Sequence, residues 1–422
     1  MRIAFLTLGC KLNFAETSTY RRALLKEEGF QEVSGDGEAD LYLVNTCAVT
    51  THSENKCRNI IRRCHRKNPD AKIVVTGCYA QIRKDEVGAL EGVSLVLGAT
   101  EKSTLPQRVL ELVGGSSSPV KVITDPSPYK ETSLAYSSGD RTRSFLKVQD
   151  GCDNFCAYCT VPFARGRSRN RPIAELVAQA GEIASEGIKE IVLTGVNTGD
   201  FGKSSGESFL SLLQALDKVE GIERYRISSI EPNLLTDDII DLCADSPKFM
   251  PHFHIPLQSG SDEILRSMGR RYDTALFSSR ISRIRQRMER AGRQEVFFGI
   301  DVIAGLPGES DALFQRSYDF LRDEIRPAFI HLFPFSPRPG TRAAGMPNQV
   351  QDSIKTERVA RLEELCRTLS QDFIQRNHGL PSRVLWESTR REGMMEGYSE
   401  NYIRLRAPYD REKVGQIQSV IL

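Results

Sequence analysis

The run Val-Gln-Asp-Gly-Cys-Asp-Asn-Phe-Cys-Ala-Tyr-Cys-Thr-Val-Pro at 148–162 carries Cys152, Cys156 and Cys159 at Cys-x3-Cys-x2-Cys spacing. Three thiolates on one short loop can grip three corners of an iron–sulfur cube. No fourth cysteine follows at ligand spacing, which leaves one iron open. An open iron can bind a substrate, whereas a fully ligated cluster mostly stores or passes electrons. The competing reading is a zinc knot. Zinc prefers four closed ligands, commonly from a pair of Cys-x2-Cys units, and the second unit is missing here. The spacing therefore favours iron–sulfur.

The chain has 422 residues, 40% hydrophobic and 27% charged, as expected of a soluble globular protein with room for about three domains. No apolar run is long enough to span a bilayer, and the first residues are interrupted too soon for a signal peptide. The expected compartment is the cytoplasm. Thiols stay reduced there, so ten cysteines point to metal binding or catalysis rather than disulfides. A net charge of +2 excludes a wholesale polycation but not a local basic face for nucleic acid.

The expected fold class is α/β. Arg2–Leu8, Asp40–Thr46 and Lys72–Thr76 are apolar runs, each followed by a helical stretch such as Glu16–Lys26 or Glu54–Arg66. This alternation predicts an amino-terminal parallel α/β domain over 1–135. Gly-, Ser- and Pro-rich stretches at Gly114–Ser118 and Asp125–Asp140 read as loops before a boundary. A second block, 140–372, repeats strand then helix. Its candidate strands are Phe145–Gln149, Glu190–Thr194, Arg224–Ser229, His252–Leu257, Val296–Ile303 and Phe329–Phe335. Six such units make a partial (β/α)6 barrel, with chemistry expected at the carboxyl ends of its strands. Glu357–Gln375 reads as a linking helix. A small β module over 376–422 follows, with strands at Val384–Ser388, Tyr402–Arg406 and Ile417–Leu422 and glycine turns at 393 and 397.

Three further cysteines share one address. Cys10, Cys47 and Cys78 each follow a candidate strand directly or after a glycine. If those strands lie parallel in one sheet, the thiols converge on one edge as a second metal site. Burial as small hydrophobes is the alternative. Cys57, Cys64, Cys243 and Cys366 fall within helical stretches and are assigned to packing.

Basic residues are densest at 56–67. Arg58, Arg62 and Arg66 share one helix face by their i, i+4, i+8 spacing, either as an RNA surface or as a solvated face. Arg165, Arg167, Arg169 and Arg171 alternate after the cysteine loop, placed to steer RNA or a cofactor carboxylate. Tyr402, Arg404 and Arg406 suit RNA contact from a strand face. Strand-end logic adds Gly195, Asn197, Ser228, Ser229, Glu231, Gln258 and Gly305 as cofactor contacts, with turn chemistry as the alternative.

The cysteine loop, with Tyr158 before its last cysteine, resembles the radical S-adenosylmethionine (SAM) signature. Thr-Leu-Gly-Cys-Lys-Leu-Asn (7–13), Asn-Thr-Cys-Ala-Val-Thr (45–50) and Val-Thr-Gly-Cys-Tyr-Ala-Gln (75–81) resemble the amino-terminal domain of methylthiotransferases. Gly-Tyr-Ser-Glu-Asn-Tyr (397–402) resembles their RNA-binding TRAM β-barrel, which is expected to be shortened here. Gly-Cys-Lys-Leu-Asn (9–13) and Leu-Thr-Gly-Val-Asn-Thr-Gly-Asp-Phe-Gly (193–202) look most like the branch that modifies threonylcarbamoyladenosine in tRNA. Other branches modify isopentenyladenosine in tRNA or an aspartate of a ribosomal protein.

The resemblance implies a methylthio group replacing the hydrogen on carbon 2 of adenine at tRNA position 37, beside the anticodon. That hydrogen is not acidic, so radical chemistry from a cofactor is required. The implied cofactors are two 4Fe-4S clusters and SAM. Cys152, Cys156 and Cys159 would hold the cluster that cleaves SAM, with Tyr158 beside it. Cys10, Cys47 and Cys78 would hold the cluster that carries sulfur. Implied partners are the anticodon stem-loop of tRNA, an electron donor such as flavodoxin or ferredoxin, and a sulfur source. Outside the resemblance, a zinc-stabilised RNA-binding protein and a two-cluster electron carrier remain open.

Overall fold

The computed structural model describes residues 1–115, 121–124, 132–139 and 141–422. The loop expectations at 116–118, 125–131 and 140 lie outside these residues.

The first sheet is six-stranded and parallel. Its strands are β1 (Arg2–Thr7), β2 (Gln31–Glu32), β3 (Leu41–Thr46), β4 (Lys72–Gly77), β5 (Val93–Leu97) and β6 (Lys121–Val122), in the order β2-β1-β3-β4-β5-β6. Both faces are covered, which explains the unbroken apolar runs. Leu41 and Leu43 turn to one face with Tyr20, Leu24 and Val109. Tyr42 and Val44 turn to the other with Cys57, Ile61 and Cys64. Three strands escaped the sequence reading. Two of them have only two residues, too few to show a period. The covering helices begin earlier than expected, at Lys11–Leu25 and Thr51–Lys67. Thr50 caps the latter by accepting a hydrogen bond from the Ser53 amide.

The second sheet contains β7 (Arg143–Lys147), β8 (Glu190–Thr194), β9 (Arg224–Ile227), β10 (Phe249–Gln258), β11 (Phe297–Ala304) and β12 (Phe329–Pro334). These pair in parallel in sequence order, each joined to the next through helices, as the six βα units required. The largest apolar core lies between this sheet and its outer helices. Asp352–Asn377 is the long helix that follows.

The carboxyl-terminal module is the expected small β module, curled as a half-barrel. β13 (Pro381–Arg391), β14 (Met394–Ser399), β15 (Arg404–Pro408) and β16 (Ile417–Ile421) form one antiparallel four-stranded sheet. β15 and β16 are its two edges, and no ladder joins them among the described residues, so the sheet stays an open half-barrel. Gly397 is not a turn but the middle of β14. A Cβ there would lie 2.6 Å from both Trp386 and Val384, so the glycine lets the Trp386 ring close over the strand. One end of the sheet is held by Arg224 and Arg226, which donate to the carbonyls of Tyr398, Arg383, Glu400 and Ser399.

Candidate active site

β1, β3 and β4 are neighbours in register, with Thr7 opposite Asn45 and Thr46 opposite Gly77. Their carboxyl ends therefore share one edge. Cys10 stands there at the amino end of the Lys11–Leu25 helix, Cys47 directly after β3, and Cys78 as the first residue of the Cys78–Ile82 helix. Gly9 has φ 106°, and a Cβ on it would lie 3.1 Å from the Cys47 Sγ, so only glycine lets the Cys10 loop come this close to Cys47. The Asn13 amide donates to the Leu8 and Thr46 carbonyls at 2.8 and 3.0 Å, locking the two strand ends together. Burial pushes the Cys47 thiol up to about 12, and the neighbouring Cys78 and Cys10 thiols push the same way. The three sulfurs thus act on one another.

The second cysteine set follows β7. Gln149 anchors its loop. The Gln149 side chain accepts from the Val196 and Asn197 amides at 2.9 and 3.0 Å and donates to the Gly151 carbonyl at 2.8 Å. One buried amide thereby ties the ends of β7 and β8. The Asn154 amide donates to Cys152 Sγ at 3.5 Å, and Arg270 donates to Cys156 Sγ at 3.1 Å. Arg270 also reaches the Tyr158 hydroxyl at 3.3 Å and pairs with Glu231 at 2.8 Å. Burial raises the Cys152 and Cys159 thiols to about 12. Cys159 is raised further by Cys156 and by Cys78, a member of the other set.

The two sets therefore meet at a seam. The Cys78–Ile82 helix packs on the Val161–Arg165 helix. Arg165, fully buried, donates to Asn13 at 2.6 Å, to Asp150 at 2.8 Å and to Glu16 at 3.2 Å. It binds the helix after Cys10 to the loop before Cys152. Lys102 and Lys147 complete the charge balance around Glu16. A cavity of 220 Å³ opens on the seam, bordered by Val49 and Thr50 from the first sheet and by Tyr158, Cys159, Gln258 and Asp301 from the second. Gln258 sits at a register shift in β10 with φ 71°, which aims it into this space.

The other expected residues divide. Asn197 is buried, accepts from the Glu231 amide, and keeps a side-chain nitrogen without a partner among the described residues. The Ser229 carbonyl is taken by Thr198, and the Ser228 amide donates to Leu193. Glu231 is occupied by Arg270 and Asn154. Gly305 backs onto Lys355, and its amide donates to Glu309 at 2.7 Å. It does not border the seam cavity.

Among the basic residues, Arg62 and Arg66 are exposed, while Arg58 is spent on Glu86 and Tyr79. Arg165 and Arg169 are not surface groups. Both are buried against Asp150, because the loop needs internal countercharge. Tyr402 also departs from its expected strand face. It precedes β15, turns inward at φ 65°, and packs on His252 and Tyr398 with its hydroxyl accepting from Arg143. Arg404 is exposed, 3.7 Å from Glu396. The roles of Gln149, Arg165 and Arg270 left no spacing signal, since each depends on tertiary neighbours.

Residues 2–98 match an uncharacterized protein family, UPF0004, and residues 146–321 match the radical SAM superfamily. The chain is 37% identical to the threonylcarbamoyladenosine tRNA methylthiotransferase MtaB of Bacillus subtilis, covering 99% of this chain and 93% of that one. It is 38% identical to the protein of the same name from Thermotoga maritima, covering 98% and 92%. A tRNA-2-methylthio-N(6)-dimethylallyladenosine synthase of Wolinella succinogenes is 35% identical, covering 98% and 95%. Among solved structures, the radical S-adenosylmethionine methyltransferase TsrM of Kitasatospora setae, with cobalamin and a 4Fe-4S cluster bound, aligns at a TM-score of 0.60. It shares 14% identity, over 81% of this chain and 74% of that one, a likeness of fold.

Proposed function

Because the chain belongs to the radical SAM methylthiotransferase family, we propose that it methylthiolates carbon 2 of threonylcarbamoyladenosine at position 37 of tRNA. The observation that carries this reading is the meeting of two three-thiol sets at one seam. The names of the Bacillus and Thermotoga relatives support the acceptor.

The cofactors are two 4Fe-4S clusters and SAM. The donor sets fit them. Each offers three soft thiols, and Cys57, the further thiol beside Cys47, donates to the Cys47 carbonyl at 3.6 Å. Cys152, Cys156 and Cys159 would hold one cluster, and Cys10, Cys47 and Cys78 the other. Bound there, the clusters and SAM supply the one-electron and sulfur-transfer chemistry that no side chain has. The thiols must lose their protons to ligate, so loading releases protons from the raised Cys47, Cys152 and Cys159. Arg270 offsets the resulting charge at Cys156. Asn197, Ser228 and Gln258 offer polar contacts for SAM. Glu231 acts through Arg270 and Asn154 to orient the loop.

We assign residues 1–135 to the sulfur-carrying domain, 140–372 to the radical SAM domain and 376–422 to a TRAM module. Arg62, Arg66 and Arg404 are the exposed cations offered to tRNA. An electron donor such as flavodoxin or ferredoxin and a sulfur source complete the reaction in the cytoplasm. No helix among the described residues is long and apolar enough to cross a membrane.

Mass spectrometry of tRNA nucleosides from a deletion strain tests the acceptor. The methylthio form of threonylcarbamoyladenosine disappears and its unmodified parent accumulates. Loss of methylthio-isopentenyladenosine instead would assign the isopentenyl acceptor.

A further inference from the structure

A second cavity, 280 Å³, lies against β7 to β10 of the second sheet, where the segment after Cys10 and the Tyr398–Tyr402 turn of the carboxyl-terminal module meet it. Lys11, next in sequence to Cys10, lines it together with Arg141, Arg143 and Arg226. Three of these four cations are accounted for. Arg143 pairs with Glu387 at 2.7 Å and donates to Tyr402. Arg226 pairs with Glu190 at 2.8 Å. Arg141 lies over the Phe14 and Phe145 rings at the exposed rim. The Lys11 ammonium makes no hydrogen bond or ion pair among the described residues, although its charge acts on Asp301, His331, His252 and Tyr402. A cation without a hydrogen-bonding partner in a half-enclosed space is costly, and an anionic ligand reduces that cost.

Gly9 and Lys11, the two chain neighbours of Cys10, both line this cavity, so it adjoins the strand-end cysteine set beside which carbon 2 must react. On adenine, carbon 6, which carries the N6 substituent, is separated from carbon 2 by N1 alone. In threonylcarbamoyladenosine that substituent ends in a free carboxylate. We propose that Lys11 is a specificity-determining residue that binds this carboxylate within the 280 Å³ cavity. The proposal rests on the acceptor assigned above. His254, Asp301 and His331 present ligand atoms within 4.8 Å of one another. His254 and Asp301 are bonded to each other at 2.7 Å. This leaves Lys11 to meet the carboxylate.

The test uses the reconstituted holoenzyme and three synthetic anticodon stem-loops under anaerobic conditions. They carry threonylcarbamoyladenosine, its carboxamide analogue, or adenosine at the target position, and fluorescence anisotropy reads the Kd. Wild type should bind the carboxylate RNA about 10- to 100-fold more tightly than the carboxamide, the scale of a charge-assisted contact. Lys11→Gln should bind both alike with its iron content unchanged, and Lys11→Arg should restore most of the preference. A carboxylate preference that survives Lys11→Gln, or that vanishes in Arg141→Gln instead, overturns the proposal. A wild type that separates threonylcarbamoyladenosine from adenosine but not from the carboxamide also overturns it, while leaving the acceptor standing. A wild type that binds all three alike removes the acceptor reading and this proposal together.

Discussion

The two cysteine sets reach the same chemistry by opposite routes. Cys152, Cys156 and Cys159 lie on one loop, shaped by local bonds such as the Cys159 amide to the Cys156 carbonyl at 2.9 Å. Cys10, Cys47 and Cys78 share nothing in sequence except their position after a strand. Their meeting depends on the register of β1, β3 and β4. A loop can be copied whole between folds, whereas a strand-end set exists only while its sheet does. The first set is also steadied by a cation from the barrel, Arg270. The second is steadied by Asn13, which bonds two strand ends and is itself held by Arg165 across the seam.

The largest expected effect separates the sets outright. Replacing Cys152, Cys156 and Cys159 with alanine should remove about four of about eight irons and abolish both SAM cleavage and methylthiolation. Replacing Cys10, Cys47 and Cys78 should remove the other half and abolish methylthiolation, while deoxyadenosine still forms from SAM. Iron analysis and chromatography read both. Full iron retention in the second variant would reduce the strand-end set to core packing.

Next comes the seam. Arg165→Met removes a buried countercharge shared by the two halves and should destabilise the protein by about 3 kcal/mol in urea unfolding. A loss confined to one half, with the other still folding cooperatively, would show that the sets are coupled by proximity alone.

Acid should open the same seam more gradually. Burial opposes ionisation of Glu16, but Arg165, Lys102 and Lys147 outweigh it and hold the carboxyl at about 2, below its ordinary 4.5. A depressed acid contributes stability that is fully present above about pH 4.5 and is lost as pH falls towards about 2. The stability gap between wild type and Glu16→Gln should therefore narrow between pH 6 and pH 3, read from urea midpoints. A constant gap would remove Glu16 from the electrostatics of the seam.

The smallest effect concerns the helix that follows Cys47. Arg62→Ala with Arg66→Ala should weaken tRNA binding several-fold. The plot of log K against log salt should become shallower by about 0.7–0.9 for each phosphate that the variant leaves unneutralised. An unchanged slope would make this a merely solvated face.

Much of the scaffold was legible because its periods are strong. Glu190–Thr194 was bounded correctly from its apolar run alone, and the strand-end address of Cys10, Cys47 and Cys78 emerged from three such runs. β5 was missed in spite of its apolar run, and the rest of what escaped had no period to show. β2 and β6 are two residues long, and β14 was hidden by Gly397, whose missing side chain serves Trp386 rather than a turn. Arginines looked alike in sequence and parted in space. Arg62 meets solvent, Arg165 meets two buried carboxylates, and Arg143 meets Tyr402.

Residue spacing alone determined the local thiol loop, the alternation of strands with helices, and hence the sheet edges where reactive groups gather. These follow from short-range geometry, in which a side chain's direction repeats every two or 3.6 residues. Only the tertiary structure decided that the two edges face one another, that Arg165 joins them, and that Lys11 makes no hydrogen bond or ion pair among the described residues. Such pairings depend on which distant charges end up within a few ångströms in a medium of low dielectric, and no local period encodes that.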